Sequence, residues 1–143
     1  MQRTAGPTPA QWYCRLAGLV LLIVGIVGFF VEPDFGTTAR DELILFDING
    51  WHNVVHLLSG IVLLAVAGSP GAAKAVALAF GIVYGAVAII GLIDGDDVLG
   101  FIPINAADNV LHIGLSALAI IAALVSERPS DETHLQSWGR PAT

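Results

Sequence analysis

Four long stretches of this chain contain no Asp, Glu, Lys or Arg: residues 16–31, residues 43–73 broken only by Asp47, residues 75–93 and residues 109–126. Trimmed to their apolar parts they run to about 16 to 20 residues each, close to the ~20 that cross a hydrocarbon core of ~30 Å. Charged residues make up 13% of the sequence and hydrophobic ones 55%, whereas soluble domains carry about a quarter charged residues. The mean hydropathy is +0.77. These features predict an all-α, integral membrane, four-helix transmembrane bundle, with helices at about 11–31, 49–68, 72–93 and 105–126. The transmembrane domain is expected over residues 11–127, after a cytoplasmic lead-in at 1–10 and before a disordered cytoplasmic tail at 128–143.

Pro33 stops the first segment and Gly68-Ser69-Pro70-Gly71 is a strong turn signal between the second and third. Asp94-Gly95-Asp96-Asp97 ends the third and Pro103 marks the approach to the fourth. The connection at 32–48 is an acidic loop, with room for a short amphipathic turn around Leu43 to Phe46. Trp12 and Tyr13 suit an interfacial belt. No Ala-x-Ala-like site follows the first apolar segment, so it is expected to be an uncleaved anchor. Cys14 stands alone, which excludes an intramolecular disulfide, and Gln11-Trp12-Tyr13 before it is not a lipidation box.

The net charge is −6, and its distribution is more informative than its sum. Arg3, Arg15, Lys74, Arg128 and Arg140 lie in the N-terminus, the second connection and the C-terminus. Glu32, Asp34, Asp41, Glu42, Asp47, Asp94, Asp96 and Asp97 fill the first and third connections, against Arg40 alone. The positive-inside rule places both termini in the cytoplasm and the acidic connections outside. The location expected is the cytoplasmic membrane of a bacterium, with multiple passes. No basic footprint, phosphate loop or Cys-rich framework points to nucleic acid.

Within the apolar segments one polar pattern occurs twice. Asn49-Gly50-Trp51-His52-Asn53-Val54-Val55-His56 is matched 56 positions later by Asn105-Ala106-Ala107-Asp108-Asn109-Val110-Leu111-His112. Each copy opens an apolar helix, which predicts two tandem two-helix repeats in parallel orientation, related by a pseudo-twofold axis along the membrane normal. Asn49, His52, Asn53 and His56 share one helical face, as do Asn105, Asp108, Asn109 and His112. Lipid satisfies none of these groups, so both stripes are expected to turn inward. Asn49 and Asn105 suit helix N-caps, and Asp108 at the third position can close a capping box. Capping does not account for Asn53, His56, Asn109 or His112.

Three uses compete for the remaining groups. The first is structural, with hydrogen bonds among Asn49, Asn53, Asn105, Asn109 and the histidines tying the second helix to the fourth. The second is a metal site for Zn, Cu or Fe on His52, His56, Asp108 and His112, with Asn53 and Asn109 behind the ligands. The third is a haem held axially by His56 and His112, with Gly18, Gly25, Gly28, Gly81 and Gly85 clearing space or serving close helix packing. No activated nucleophile accompanies them. Ser59, Ser116 and Tyr84 are expected to pack, so the chain is not expected to be an enzyme.

The chain resembles the four-helix bacterial membrane family called domain of unknown function 4383. The resemblance is carried by Gly25-Ile26-Val27-Gly28-Phe29, by His52-Asn53-Val54-Val55-His56-Leu57-Leu58-Ser59-Gly60 and by Asp108-Asn109-Val110-Leu111-His112, and extends over residues 15–125. It implies a four-span envelope protein and no assigned activity. The expected function is therefore a small multi-pass envelope protein in the lipid bilayer, its polar stripes holding the bundle together and binding an ion or a partner. The alternatives are a metal- or haem-binding protein and an accessory subunit with a membrane-protein partner.

Overall fold

The structure, a computed structural model, describes residues 6–126. The expected tail at 128–143, residues 1–5 of the lead-in, and Arg3, Arg128 and Arg140 lie outside the described residues. The element order is α1 (Pro9–Val31), β1 (Asp41–Leu43), β2 (Phe46–Ile48), α2 (Gly50–Val66), α3 (Pro70–Asp94), β3 (Asp97–Val98), β4 (Ile102–Pro103) and α4 (Ala106–Val125). The helices α1, α3 and α4 are long and apolar enough to cross a membrane. α2 has 17 residues and reaches about 25 Å at ~1.5 Å per residue, so three helices, where the sequence predicts four, have full spanning length. It is cut short between the Asn49 cap and the Ala67-Gly68-Ser69-Pro70 turn.

Local sequence sets the helix starts. Thr8 accepts from the backbone of Gln11 while the Gln11 side chain returns to the backbone of Thr8, with Pro9 in the first turn of α1. Pro70 opens α3 in the same position. α1 packs mainly on α2 and α3 mainly on α4; α1 also meets α3 and α4, while α2 and α4 have at most marginal backbone contact. The helices carrying the polar stripes therefore stand on opposite sides of the bundle, and only their side chains meet across it. Small residues make the tight pairings possible: a methyl on Gly60 would lie 2.6 Å from the Leu22 backbone nitrogen, and one on Gly25 2.7 Å from that of Leu57.

The connections on the acidic side depart from expectation. In place of a loop with a short amphipathic turn, β1 and β2 form an antiparallel hairpin pairing Leu43 with Phe46, and β3 and β4 form a second pairing Val98 with Ile102. Ile44 turns the first with φ 66°, and the Leu45 amide donates to the Leu43 carbonyl at 2.9 Å, a γ-type turn. A β-branched residue at positive φ is uncommon, and no Gly or Asn stands there to announce a hairpin. Leu99 (φ 59°) and Gly100 (φ 76°) turn the second.

The interior is divided along its length. Near the Thr8 and Ser126 end it is apolar and made of small side chains, with Ala10, Cys14, Ala17, Ala73, Ala77, Ala119 and Ala123 around Leu63, Phe80 and Tyr84. Lys74 donates to the Ser126 carbonyl at 2.6 Å and Gln11 to the Ala67 carbonyl at 3.1 Å, closing that end. Near the hairpins the interior is polar: Asn49, His52, Asn53, His56, Asp108, Asn109 and His112 are all buried. The outer faces of the helices are the reverse, with Leu16, Phe30, Ile82, Ile93 and Leu124 exposed.

Gly60→Ala is expected to push α1 from α2 and cost about 1–3 kcal/mol, measured as a lower thermal midpoint in detergent. Gly114, with nothing within 4 Å of an added methyl, is the control: Gly114→Ala should leave the midpoint unchanged or raise it.

Candidate metal centre

The hairpins are locked over the polar end by two crossed asparagines. Asn49 caps α2 by accepting from the His52 amide at 2.9 Å, and its Nδ2 donates to the Phe101 carbonyl in the second hairpin at 2.8 Å. Asn105 caps α4 by accepting from Ala107 and Asp108, and its Nδ2 donates to the Leu45 carbonyl in the first hairpin at 2.9 Å. Arg40 joins the same seam, pairing with Asp47 at 3.2 Å and donating to the Asp96 carbonyl at 2.7 Å. At its rim Trp51 meets Phe35 and Phe101 edge-on and donates to the Phe35 carbonyl.

Asp108 belongs to this lid and stands apart from the histidines' ligand group. Its Oδ2 accepts from the Asn105 amide at 3.0 Å, completing a capping box, and from the Asp47 amide at 3.1 Å. Both bonds fall on Oδ2, and the carboxylate expected among metal ligands does not join the group that the three histidines form. Asn53 and Asn109 also depart from their expected place behind the ligands. Asn53 donates to the Glu32 carbonyl at the end of α1, and its Oδ1 fills the space a Gly28 methyl would take. Asn109 Oδ1 does the same at Gly91 on α3. Neither oxygen has a conventional donor; the glycine Cα–H groups beside them are the weak donors that such helix contacts use.

The structure does bring together His52, His56 and His112. One ligand nitrogen of each lies within 4.8 Å of the others, and the three residues are buried at 2%, 5% and 4% exposure. His52 Nδ1 lies 3.1 Å from the Pro103 carbonyl. A carbonyl only accepts, so Nδ1 carries the proton and Nε2 presents a lone pair to the interior. That Nε2 is 3.2 Å from Nε2 of His56. The Nδ1 atoms of His56 and His112 are buried without a partner, although buried polar atoms are normally bonded. His112 stands edge-on to Tyr84, whose hydroxyl lies 3.0 Å from Ser59 Oγ.

A tetrahedral metal with bonds of about 2.0–2.1 Å holds its nitrogens about 3.3 Å apart. The His52–His56 separation of 3.2 Å is close to this, and a nitrogen of His112 lies within 4.8 Å of both. The haem reading does not fit. The cavity here is about 120 Å³, bordered by the three histidines, Ser59, Tyr84, Pro103 and aliphatic side chains, well below the ~300–1,000 Å³ of ordinary small-molecule sites. The glycines leave no slot either. Gly18 and Gly25 are filled by α2, Gly28 by Asn53, and Gly81 and Gly85 by side chains of α4.

A family model described as a domain of unknown function (DUF4383) matches residues 11–125. The chain belongs to this family. No curated protein and no solved structure matches it. The family match takes in α1 from residue 11, the other three helices and both hairpins, so lid and histidine cluster both lie inside it.

Sequence reasoning reached the three histidines but missed what orients them. The Pro103 contact depends on a hairpin whose strands are two residues each and whose turn is marked in the sequence by Gly100 alone, and the Asn–Gly docking joins residues 25 and 18 positions apart, Gly28 with Asn53 and Gly91 with Asn109. The repeated Gly near the end of each preceding helix was the available clue. Asp108→Ala should cost about 1–2 kcal/mol through the lost cap, while Asp108→Asn, which keeps an acceptor, should cost less than half of that. Thermal unfolding of the two variants in one detergent checks the order.

Proposed function

We propose that this chain is a metal-binding protein of the bacterial cytoplasmic membrane, with His52, His56 and His112 as the ligands. The observation that carries this is the convergence of three buried imidazoles, with Nε2 of His52 and of His56 3.2 Å apart and a nitrogen of His112 within 4.8 Å of both. Every other member of the polar stripes has a local task in the lid or in helix docking. The imidazoles keep capacity left over, at a depth where unsatisfied polar groups are expensive.

The orientation proposed has the hairpin lid outside and the termini in the cytoplasm. Arg15 and Lys74 lie toward the Thr8 end of the bundle, and Glu32, Asp34, Asp41, Glu42 and Asp94 toward the lid, as the positive-inside rule favours. The exposed apolar faces of the helices suit lipid on all sides. The parallel roles of Asn49 and Asn105, and of the Gly28–Asn53 and Gly91–Asn109 pairs, support descent of the two helix–hairpin–helix units from one repeat. The role proposed is binding without catalysis: Ser116 donates to the Gly81 carbonyl and Ser59 is engaged by Tyr84, so neither hydroxyl is poised as a nucleophile.

Elemental mass spectrometry on protein purified without chelator is the test. Close to one transition-metal ion per chain is expected, falling to background in His56→Ala/His112→Ala. Metal-free protein that takes up none on incubation with zinc or copper would sink the proposal.

A further inference from the structure

Resting on the metal reading above, we propose that the ion held by His52, His56 and His112 is monovalent copper, bound by three neutral imidazoles with no anionic ligand. The donor set is what distinguishes it. The neighbouring carboxylates stand outside the group: Asp108 takes two backbone amides on Oδ2 and Asp47 pairs with Arg40 and accepts from Asn105, and neither joins the three nitrogens that lie within 4.8 Å of one another. The Tyr84 phenol is hydrogen-bonded to Ser59. Cys14 belongs to the opposite, apolar end of the bundle, where its thiol lies 3.6 Å from the Ala73 carbonyl. Three uncharged nitrogens remain.

Charge then decides between ions. The cavity wall beyond these groups is aliphatic, formed by Val55, Val83, Val87, Val98, Ile102 and Ile104. A divalent ion on neutral ligands would leave two positive charges in this low-dielectric space. A monovalent ion leaves one, and the solvation cost of an ion scales with the square of its charge, roughly four times less. Zinc and divalent iron in such surroundings usually take a carboxylate or thiolate, or a hydroxide that needs hydrogen-bond partners of its own. Here the two cavity hydroxyls bond each other.

Coordination number points the same way. Zinc prefers four ligands and divalent copper a square-planar or tetragonal set. Among the described residues this site converges three nitrogens and no fourth His, Cys, Asp or Glu donor. A filled-shell monovalent ion has no such demand and accepts three ligands.

The experiment is an anaerobic titration of the full chain in detergent with copper kept monovalent by ascorbate, against bicinchoninate as a coloured competitor, beside a zinc titration. Expected are one copper per chain, not displaced by equimolar zinc, and an X-ray absorption edge of three-coordinate monovalent copper with only nitrogen neighbours. H56Q/H112Q should weaken binding more than about 100-fold, since loss of supporting contacts alone costs 10–100-fold, and D108N should bind as the original chain does. Zinc bound in preference to copper, or copper lost in D108N, would overturn the monovalent assignment and leave a metal centre standing. Neither ion bound by the original chain at its normal melting temperature would overturn both. The absorption edge is read on the original chain, so it decides even where H56Q/H112Q fails to fold.

Discussion

Everything at the polar end of this bundle follows from the crossing of two asparagine side chains. A helix that begins inside an apolar environment exposes amides with no partner, and a cap is the local remedy. Asn49 and Asn105 satisfy that need with their oxygens and have nitrogens left to place. Each nitrogen reaches the turn of the other hairpin, at Phe101 and at Leu45. Two local requirements thereby become one long-range constraint, which sets the two helix pairs in register and fixes the lid. Such bonds are worth only about 0.6–2 kcal/mol each in a membrane, so their effect is on geometry more than on total stability.

Much of this was legible in the sequence, because the polar residues stand out against an apolar background. The four helices, the Asn49 and Asn105 caps, the Asp108 capping box and the inward turn of His52, His56 and His112 follow from spacing and from the cost of bare polar groups in lipid. The hairpins were not legible. Ile44 turns the first at positive φ with a residue type that almost never does so, and a short apolar run such as Leu43-Ile44-Leu45-Phe46 fits a turn of helix equally well. Nor could spacing sort one helical face into two. Asn53 and Asn109 share a stripe with the histidines, yet their oxygens dock into Gly28 and Gly91 within each helix pair. Only the shape of the neighbouring helix separates these uses.

The division of the stripes also explains why the two halves, alike in plan, bring their histidines to one cluster and not two. Asp47 stands in the first half where Pro103 stands in the second, and His52 stands where Asp108 does. Asp47 has an amide proton, and the Asp108 carboxylate accepts it. Pro103 has no amide proton to give, so a carboxylate in the position of His52 would face a carbonyl with nothing to accept. An imidazole answers that carbonyl by donating from Nδ1. The residue pairs Asp47–Asp108 and Pro103–His52 are thus two chemically opposite solutions to the same contact. The choice has a consequence deeper in the bundle, because an imidazole that spends its proton on the lid must present a lone pair on its other side. His52 directs that lone pair at His56, and His112 approaches from across the bundle with a nitrogen to spare. A proline in one hairpin is therefore what turns the Nε2 lone pair of His52 inward and gathers the histidine cluster toward the second helix.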